Sequence, residues 1–120
     1  MAKQKIAILF GGKSGEHEVS VVSAQGVFGA IDTSRFEPLP FAVTKQGIWL
    51  TPDESREAMR GLTPGRYQEI PQLSDSALLR RPEVLAALAG SDVAFPLMHG
   101  PYGEDGSVQG FLQVAGVPYV

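Results

Sequence analysis

Lys5-Ile-Ala-Ile-Leu-Phe10, followed by Gly11-Gly12, is the stretch of sequence from which the fold class follows. Its apolar run is continuous rather than alternating, which is typical of a strand covered on both faces in a parallel sheet. A basic start precedes the run, but the run is too short for a signal peptide and far too short to cross a bilayer. We therefore interpret it as the first buried strand of a cytoplasmic protein with no membrane partner.

The residues that follow the glycines predict a helix and then an edge strand. Four apolar residues recur at helical spacing and predict a helix that ends near residue 31: Ala24, Val27, Phe28 and Ile31. Residues 36–44 are also apolar but include Pro38 and Pro40, which cannot donate to a ladder and so indicate an edge strand. Lys45-Gln46-Gly47 then predicts a turn into a hairpin partner over residues 48–50.

The second half of the chain continues the alternation of helices and strands. A short helix is predicted over residues 53–60, another between Pro82 in its first turn and Gly90 at its C-cap, and a buried strand over residues 92–97. A last helix and the start of a strand at 117–120 follow, and the helix carries the apolar stripe Val108, Phe111, Leu112 and Ala115. The pattern predicts an α/β fold, a doubly wound, mostly parallel sheet with helices on both faces, whose ligands bind beyond the carboxyl ends of the strands.

Length and composition limit the classes of function. With 120 residues and 43% hydrophobic content the chain is expected to form one domain. The net charge is −3 and the longest basic run is Arg80-Arg81, so a nucleic-acid partner is not expected. The absence of cysteine excludes disulfides and thiolate zinc sites, and two histidines are too few for a histidine-based metal cluster.

The first loop, Gly11-Gly-Lys-Ser-Gly-Glu-His-Glu-Val-Ser20, is glycine-rich but acidic. Its spacing matches neither the dinucleotide fingerprint nor the P-loop, and Glu16 and Glu18 would repel a phosphate while favouring an ammonium group. The alternative is that both carboxylates only complement the helix dipole, at roughly 0.3–1 kcal/mol each. The pattern alone favours this alternative for both residues, and it stays the preferred interpretation for Glu18. Ser20 is interpreted as a turn or capping residue, and Lys13 as a solvated charge.

The second loop, His99-Gly-Pro-Tyr-Gly-Glu-Asp-Gly106, contains three glycines in eight residues, so its backbone can approach a ligand closely. His99 lies just beyond the predicted strand, and Glu104 is near enough in sequence to fix the tautomer of the imidazole. The alternative is a histidine that only satisfies backbone groups of the loop, and the residues alone do not separate the two. Asp105 is explained by N-capping.

These loops resemble those of D-alanine-D-alanine ligases, and the resemblance covers residues 5–120. The stretch from His99 to Gly110 matches the family signature H-G-x-x-G-E-D-G-x-[apolar]-[QSA]-[GSA] without a departure. The first loop is similar to the family's opening G-G-x-S-x-E-x-[ED]-V-S, with Gly15 where alanine or glutamate is frequent.

The resemblance implies a reaction and a site. Members of the family join two D-alanines with ATP: the first carboxylate becomes an acylphosphate, which the second amino group attacks. Glu16 matches the catalytic, substrate-binding glutamate that holds the ammonium of the first D-alanine, and Val19 matches a residue lining that subsite. His99 matches the histidine near the substrate carboxylate and the acylphosphate, and we expect Glu104 to orient it.

The resemblance also implies what lies outside this chain. The family has three domains, and the chain is interpreted as the first, the amino-terminal substrate domain, whose partners are D-alanine and its own ATP-grasp domains. Those domains bind ATP and Mg²⁺, so no ligase activity is expected of residues 1–120 alone, and family members are usually homodimers. A D-alanine-D-lactate ligase and a non-catalytic amino-acid-binding module remain alternatives, whereas the acidic first loop disfavours a nucleotide-binding enzyme.

Overall fold

The computed structural model describes residues 3–13, 15–71, 81–97 and 116–118. Within these ranges the chain forms three strands and three helices in the order βαβααβ. Their bounds are β1 Gln4–Gly11, α1 His17–Ala30, β2 Phe36–Val43, α2 Pro52–Arg60, α3 Arg81–Ala89 and β3 Val93–Pro96. None of the helices in these ranges is long and apolar enough to span a membrane.

The three strands form a parallel sheet in the order β2-β1-β3. Because β1 is central, the chain leaves it in one direction to reach β2 and returns past it to reach β3. The order of the strands therefore switches between β1 and β3, and in open α/β sheets the crevice beyond the carboxyl ends of such strands is where ligands bind. The predicted parallel α/β fold is confirmed.

Both faces of β1 are buried, as its continuous apolar run predicts. Alternate side chains of a strand point to opposite faces, so Ala7 and Leu9 lie on one side of the sheet and Ile8 and Phe10 on the other. The first pair packs against α3, mainly through Val84 and Leu88. The second face is covered by α1 and α2 in a core that comprises Ile8, Phe10, Val21, Ala24, Ala42, Leu50, Ala58 and Ile70.

The edge position predicted for β2 from its prolines is confirmed within the described sheet. Ala42 directs both of its backbone groups away from β1, since its N–H donates to Ser55 Oγ at 2.9 Å and its carbonyl accepts from Leu50 N at 2.9 Å. Pro38 and Pro40 have the same parity as Ala42, so their nitrogens also face away from β1 and no ladder bond is lost. The predicted hairpin is short, with one antiparallel bridge between Val43 and Trp49.

The helices begin and end close to the predicted residues. Helix α2 starts one residue early, at Pro52, because Thr51 and Glu54 form a reciprocal capping box. Helix α3 covers the predicted span, with Gly90 directly after it. The helix predicted after Asp105 lies outside the described residues. Of the strand predicted over 117–120, Val117 and Pro118 are described, and the carbonyl of Pro118 accepts from Ala94 N at 2.8 Å on the side of β3 away from β1.

Candidate functional site

The first loop leaves β1 through two glycines that are held close to β2. Gly11 and Gly12 have φ of +91° and +95°, a region that L side chains rarely adopt. A Cβ on Gly11 would lie 2.3 Å from the carbonyl oxygen of Val43. Glycine is therefore required at position 11 both by the backbone angle and by the nearness of β2.

The amide groups of both glycines are engaged inside the protein. Gly11 N donates to Ser20 Oγ at 2.9 Å, and Gly12 N donates to Val43 O at 2.8 Å. In a phosphate-binding loop, backbone N–H groups at this position point towards the ligand instead. The geometry thus agrees with the acidic sequence in disfavouring a phosphate site at these two residues.

The first turn of α1 has an inner side made of two buried polar residues, His17 and Ser20. The hydroxyl of Ser20 accepts from Gly11 N and donates to the carbonyl of Leu97 at 2.6 Å. One hydroxyl therefore joins the end of β1, the start of α1 and the residue after β3, at the point where the strand order switches. The interpretation of Ser20 as a turn or capping residue was wrong, because its partners, Gly11 and Leu97, lie at the ends of two different strands.

His17 is the second buried residue of the inner side, and its imidazole has a partner at each nitrogen. Nδ1 lies 2.7 Å from the carbonyl oxygen of Gly12, and Nε2 lies 3.0 Å from the backbone nitrogen of Ile70. Ile70 belongs to residues 61–71, which follow α2 and also meet α1 at Gln25, whose side-chain oxygen accepts from Gly65 N at 3.0 Å. The imidazole therefore links the first loop to a segment more than fifty residues further along the chain.

The outer side of the same turn carries the two residues assigned to substrate by resemblance, Glu16 and Val19. Glu16 is the N-cap residue of α1, and its side chain makes no capping hydrogen bond. Its side chain is exposed, and Val19 is 40% exposed. The two residues are three positions apart around the start of α1 and so share one side of the turn.

Glu18 lies beside this turn in a surface ion pair. Lys45 Nζ contacts Glu18 Oε1 and lies 3.6 Å from Glu69 Oε2. The hydrogen bond from Lys45 lowers the pKa of Glu18 below its ordinary value, and Glu18 in turn raises the pKa of Lys45. The ammonium group of Lys45 therefore balances the negative charge of the Glu18 carboxylate within the protein.

His99 and Glu104, which were assigned by resemblance, lie outside the described residues. The structure fixes Leu97, two residues before His99: its carbonyl accepts from Ser20 Oγ, and its N–H donates to Leu9 O at 2.7 Å. Among the described residues, no group of three His, Cys, Asp or Glu side chains is placed to hold a metal ion.

Fold and loop together define an α/β domain whose switch-point loop carries carboxylates where related folds bind phosphate. The chain belongs to the family described as D-ala D-ala ligase N-terminus, whose model matches residues 5–120. The family implied by the two loop motifs is thereby confirmed.

Curated relatives of the chain are named D-alanine--D-alanine ligase. A D-alanine--D-alanine ligase from Bifidobacterium longum (strain DJO10A) is 39% identical over 158 residues, and the match covers 100% of this chain. The chain spans 39% of the length of that relative.

Solved structures of such ligases share the fold. The VanG D-Ala:D-Ser ligase from Enterococcus faecalis is 31% identical with a TM-score of 0.65, over 99% of this chain and 36% of that one. The D-alanine-D-alanine ligase from Coxiella burnetii is 28% identical with a TM-score of 0.66, over 98% of this chain and 35% of that one.

Proposed function

We propose that the chain is the amino-terminal substrate domain of an ATP-dependent ligase that joins two D-alanines through an acylphosphate, making D-alanyl-D-alanine for peptidoglycan. The observation that supports this most is the division of the first turn of α1. Glu16 and Val19 are exposed at the switch point of the sheet, whereas His17 and Ser20 hold the loop in place through hydrogen bonds. The family to which the chain belongs is named for D-alanine, and this supports D-alanine as the substrate of the exposed pair.

In this proposal Glu16 binds the ammonium group of the first D-alanine. An exposed carboxylate at the start of a helix gains a charge-assisted hydrogen bond from an ammonium ion. Glu18, two residues later, is less suited to the role because Lys45 already pairs with it. Val19 lines the same subsite and offers apolar surface to the small aliphatic part of the substrate, which favours alanine over a charged amino acid.

His99 is proposed to act at the substrate carboxylate and the acylphosphate, with Glu104 orienting its imidazole. The anchoring of Leu97 supports this placement, because the second loop begins two residues before His99 and its origin is tied to α1 through Ser20. The hydroxyl of Ser20 would then set the distance between the two halves of the subsite. Neutral imidazole can donate a hydrogen bond to a developing negative charge on the substrate.

The described residues do not fit ATP or Mg²⁺. The amides of Gly11 and Gly12 are engaged, and the described part of the chain holds no cluster of three metal-ligating side chains. We assign both to ATP-grasp domains beyond this chain, which agrees with its covering 39% of the Bifidobacterium relative. Activity therefore requires those domains, and the complete protein is expected to be a homodimer.

The test measures ADP release from ATP in the presence of Mg²⁺ and D-alanine. It compares this chain with the same chain extended through the sequence that follows it in the full-length protein. We expect activity in the extended protein and none in residues 1–120. A folded extended protein that releases no ADP with D-alanine would overturn the ligase assignment. In that case micromolar binding of D-alanine to the chain by calorimetry would favour a non-catalytic amino-acid-binding module.

A second candidate is a ligase that pairs D-alanine with a different second substrate. The VanG relative supports it, since that protein is named as a D-Ala:D-Ser ligase and is 31% identical to this chain. Adding D-serine or D-lactate beside D-alanine and analysing the products by mass spectrometry separates the alternatives. We expect D-alanyl-D-alanine as the main product, whereas a mixed dipeptide or a depsipeptide in excess would assign the chain to the second class.

A further inference from the structure

The imidazole of His17 is completely buried at the start of α1, directly after Glu16. Its Nε2 lies 3.0 Å from a backbone N–H, that of Ile70, and so must accept a hydrogen bond. Its Nδ1 lies 2.7 Å from a carbonyl oxygen, that of Gly12, and so must donate one. These partners select the neutral imidazole with its proton on Nδ1, because this form alone satisfies both of them.

The two hydrogen bonds of His17 have different consequences. The bond to Gly12 O closes residues 12–17 into a ring that contains Glu16, so it limits the positions that the Glu16 carboxylate can take. The bond from Ile70 N fastens residues 61–71 to α1, and Ile70 is also held by its buried side chain in the core shared by α1 and α2. Residues 61–71 have a further link to α1, since Gly65 N donates to the side-chain oxygen of Gln25 at 3.0 Å.

We propose that His17 is a positioning residue for the amino-acid subsite, and that it acts on Glu16 through the bond from Nδ1 to Gly12 O. This rests on the proposed function of Glu16. A loop already closed before the substrate arrives loses less conformational freedom when the ammonium group binds, so the bond strengthens binding of the first D-alanine. His17 does not contact the substrate, because its imidazole is enclosed by the first loop and residues 61–71.

Three substitutions separate the two bonds. His17→Asn places an amide near the position of Nδ1 and keeps a donor for Gly12 O, but it does not reach Ile70 N. His17→Gln places its amide near the position of Nε2 and keeps an acceptor for Ile70 N, but it loses the donor to Gly12 O. His17→Ala removes both bonds and serves as the reference.

The measurement is the KM for the first D-alanine in the extended, active protein, with the KM for ATP and the thermal midpoint of each variant. We expect the KM for D-alanine to rise about 3- to 10-fold in the His17→Ala and His17→Gln variants, which is the effect of losing one hydrogen bond. In the His17→Asn variant it is expected to stay within about twofold of wild type. The KM for ATP is expected to be unchanged in all three. Asparagine is smaller than glutamine, so simple loss of packing would give the opposite order for the two.

The outcomes are distinct. The positioning role would be overturned if the KM for D-alanine rose in each variant in proportion to the fall in its thermal midpoint, with His17→Gln nearest to wild type. His17 would then be a structural residue. If the Gln variant does not fold, the comparison of Asn with Ala is sufficient, and equal KM values in those two would also overturn it. A folded wild-type protein without activity would instead overturn the proposed function. Results on His17 variants of an active enzyme test only the positioning role, so the two failures can be told apart.

Discussion

The inner and outer sides of the first turn of α1 differ in how far their side chains are exposed to solvent. On the inner side, His17 and Ser20 are fully buried, and each has two hydrogen-bond partners within the protein. On the outer side, Glu16 and Val19 are exposed although they alternate with the buried pair. One turn therefore has two different sides: the hydrogen bonds of the inner side fix the geometry of the loop, and the outer side is exposed to solvent.

Gly11→Ala, at the residue whose amide donates to Ser20, should produce the largest effect. An alanine at φ of +91° costs about 1–2 kcal/mol, and its Cβ would meet Val43 O at 2.3 Å, which adds about 1–3 kcal/mol. We expect a loss of roughly 3 kcal/mol or more in the free energy of unfolding, measured by urea denaturation. Gly65→Ala is the matched control, because Gly65 has φ of +76° but nothing within 4 Å of its added Cβ. Equal losses in both variants would show that closeness to β2 is unimportant.

Ser20→Ala tests the bridge between β1, α1 and β3. The substitution leaves Gly11 N and Leu97 O without their partner in a buried place, which we expect to lower the free energy of unfolding by about 2–3 kcal/mol. Ser91→Ala is the control, since Ser91 lies just after α3 and its Oγ donates back to Ala87 O at 3.2 Å, and a loss below about 1 kcal/mol is expected there. A Ser20 variant as stable as the Ser91 variant would contradict the division between the two sides.

Glu18→Gln should produce the smallest effect, and one that depends on pH. Because the Lys45 partner lowers the pKa of Glu18 below its ordinary value of 4.5, the pair stabilises the fold fully above that value. This stabilisation is lost as the pH falls through the lowered pKa of the folded state. The urea midpoints of wild type and variant should therefore differ slightly at pH 7 and converge towards pH 3. A difference that persists at pH 3 would mean that the glutamate contributes by something other than its charge.

Much of the framework could be predicted from the sequence because its signals are local. The apolar run of β1, the prolines of β2 and the Pro82–Gly90 bounds of α3 each act over a few residues, and the structure confirms all three. The capping box of α2 was missed, although Thr51 and Glu54 have the spacing that defines it. Reading that spacing would have placed the helix start at residue 52.

The inner side of the site could not be predicted, because its partners are distant in sequence. Ser20 bonds to a carbonyl 77 residues away, and His17 to an amide 53 residues away. A serine and a histidine in a loop give no sign of such partners until the sheet order is known. Glu16 and Val19 were assigned through the family resemblance, and the structure adds that both are exposed on one side of the turn. Their contact with substrate remains a prediction.

The most direct test of the account compares Glu16→Gln with Glu18→Gln in the extended, active protein. Both remove one negative charge from the same turn, but only Glu16 is proposed to hold the ammonium of the first D-alanine. We predict that Glu16→Gln lowers kcat/KM for that substrate about 10- to 100-fold, with ATP binding and the free energy of unfolding nearly unchanged, and that Glu18→Gln leaves the kinetics as in wild type. Unaltered D-alanine kinetics in Glu16→Gln, or equal losses in both variants, would contradict the account.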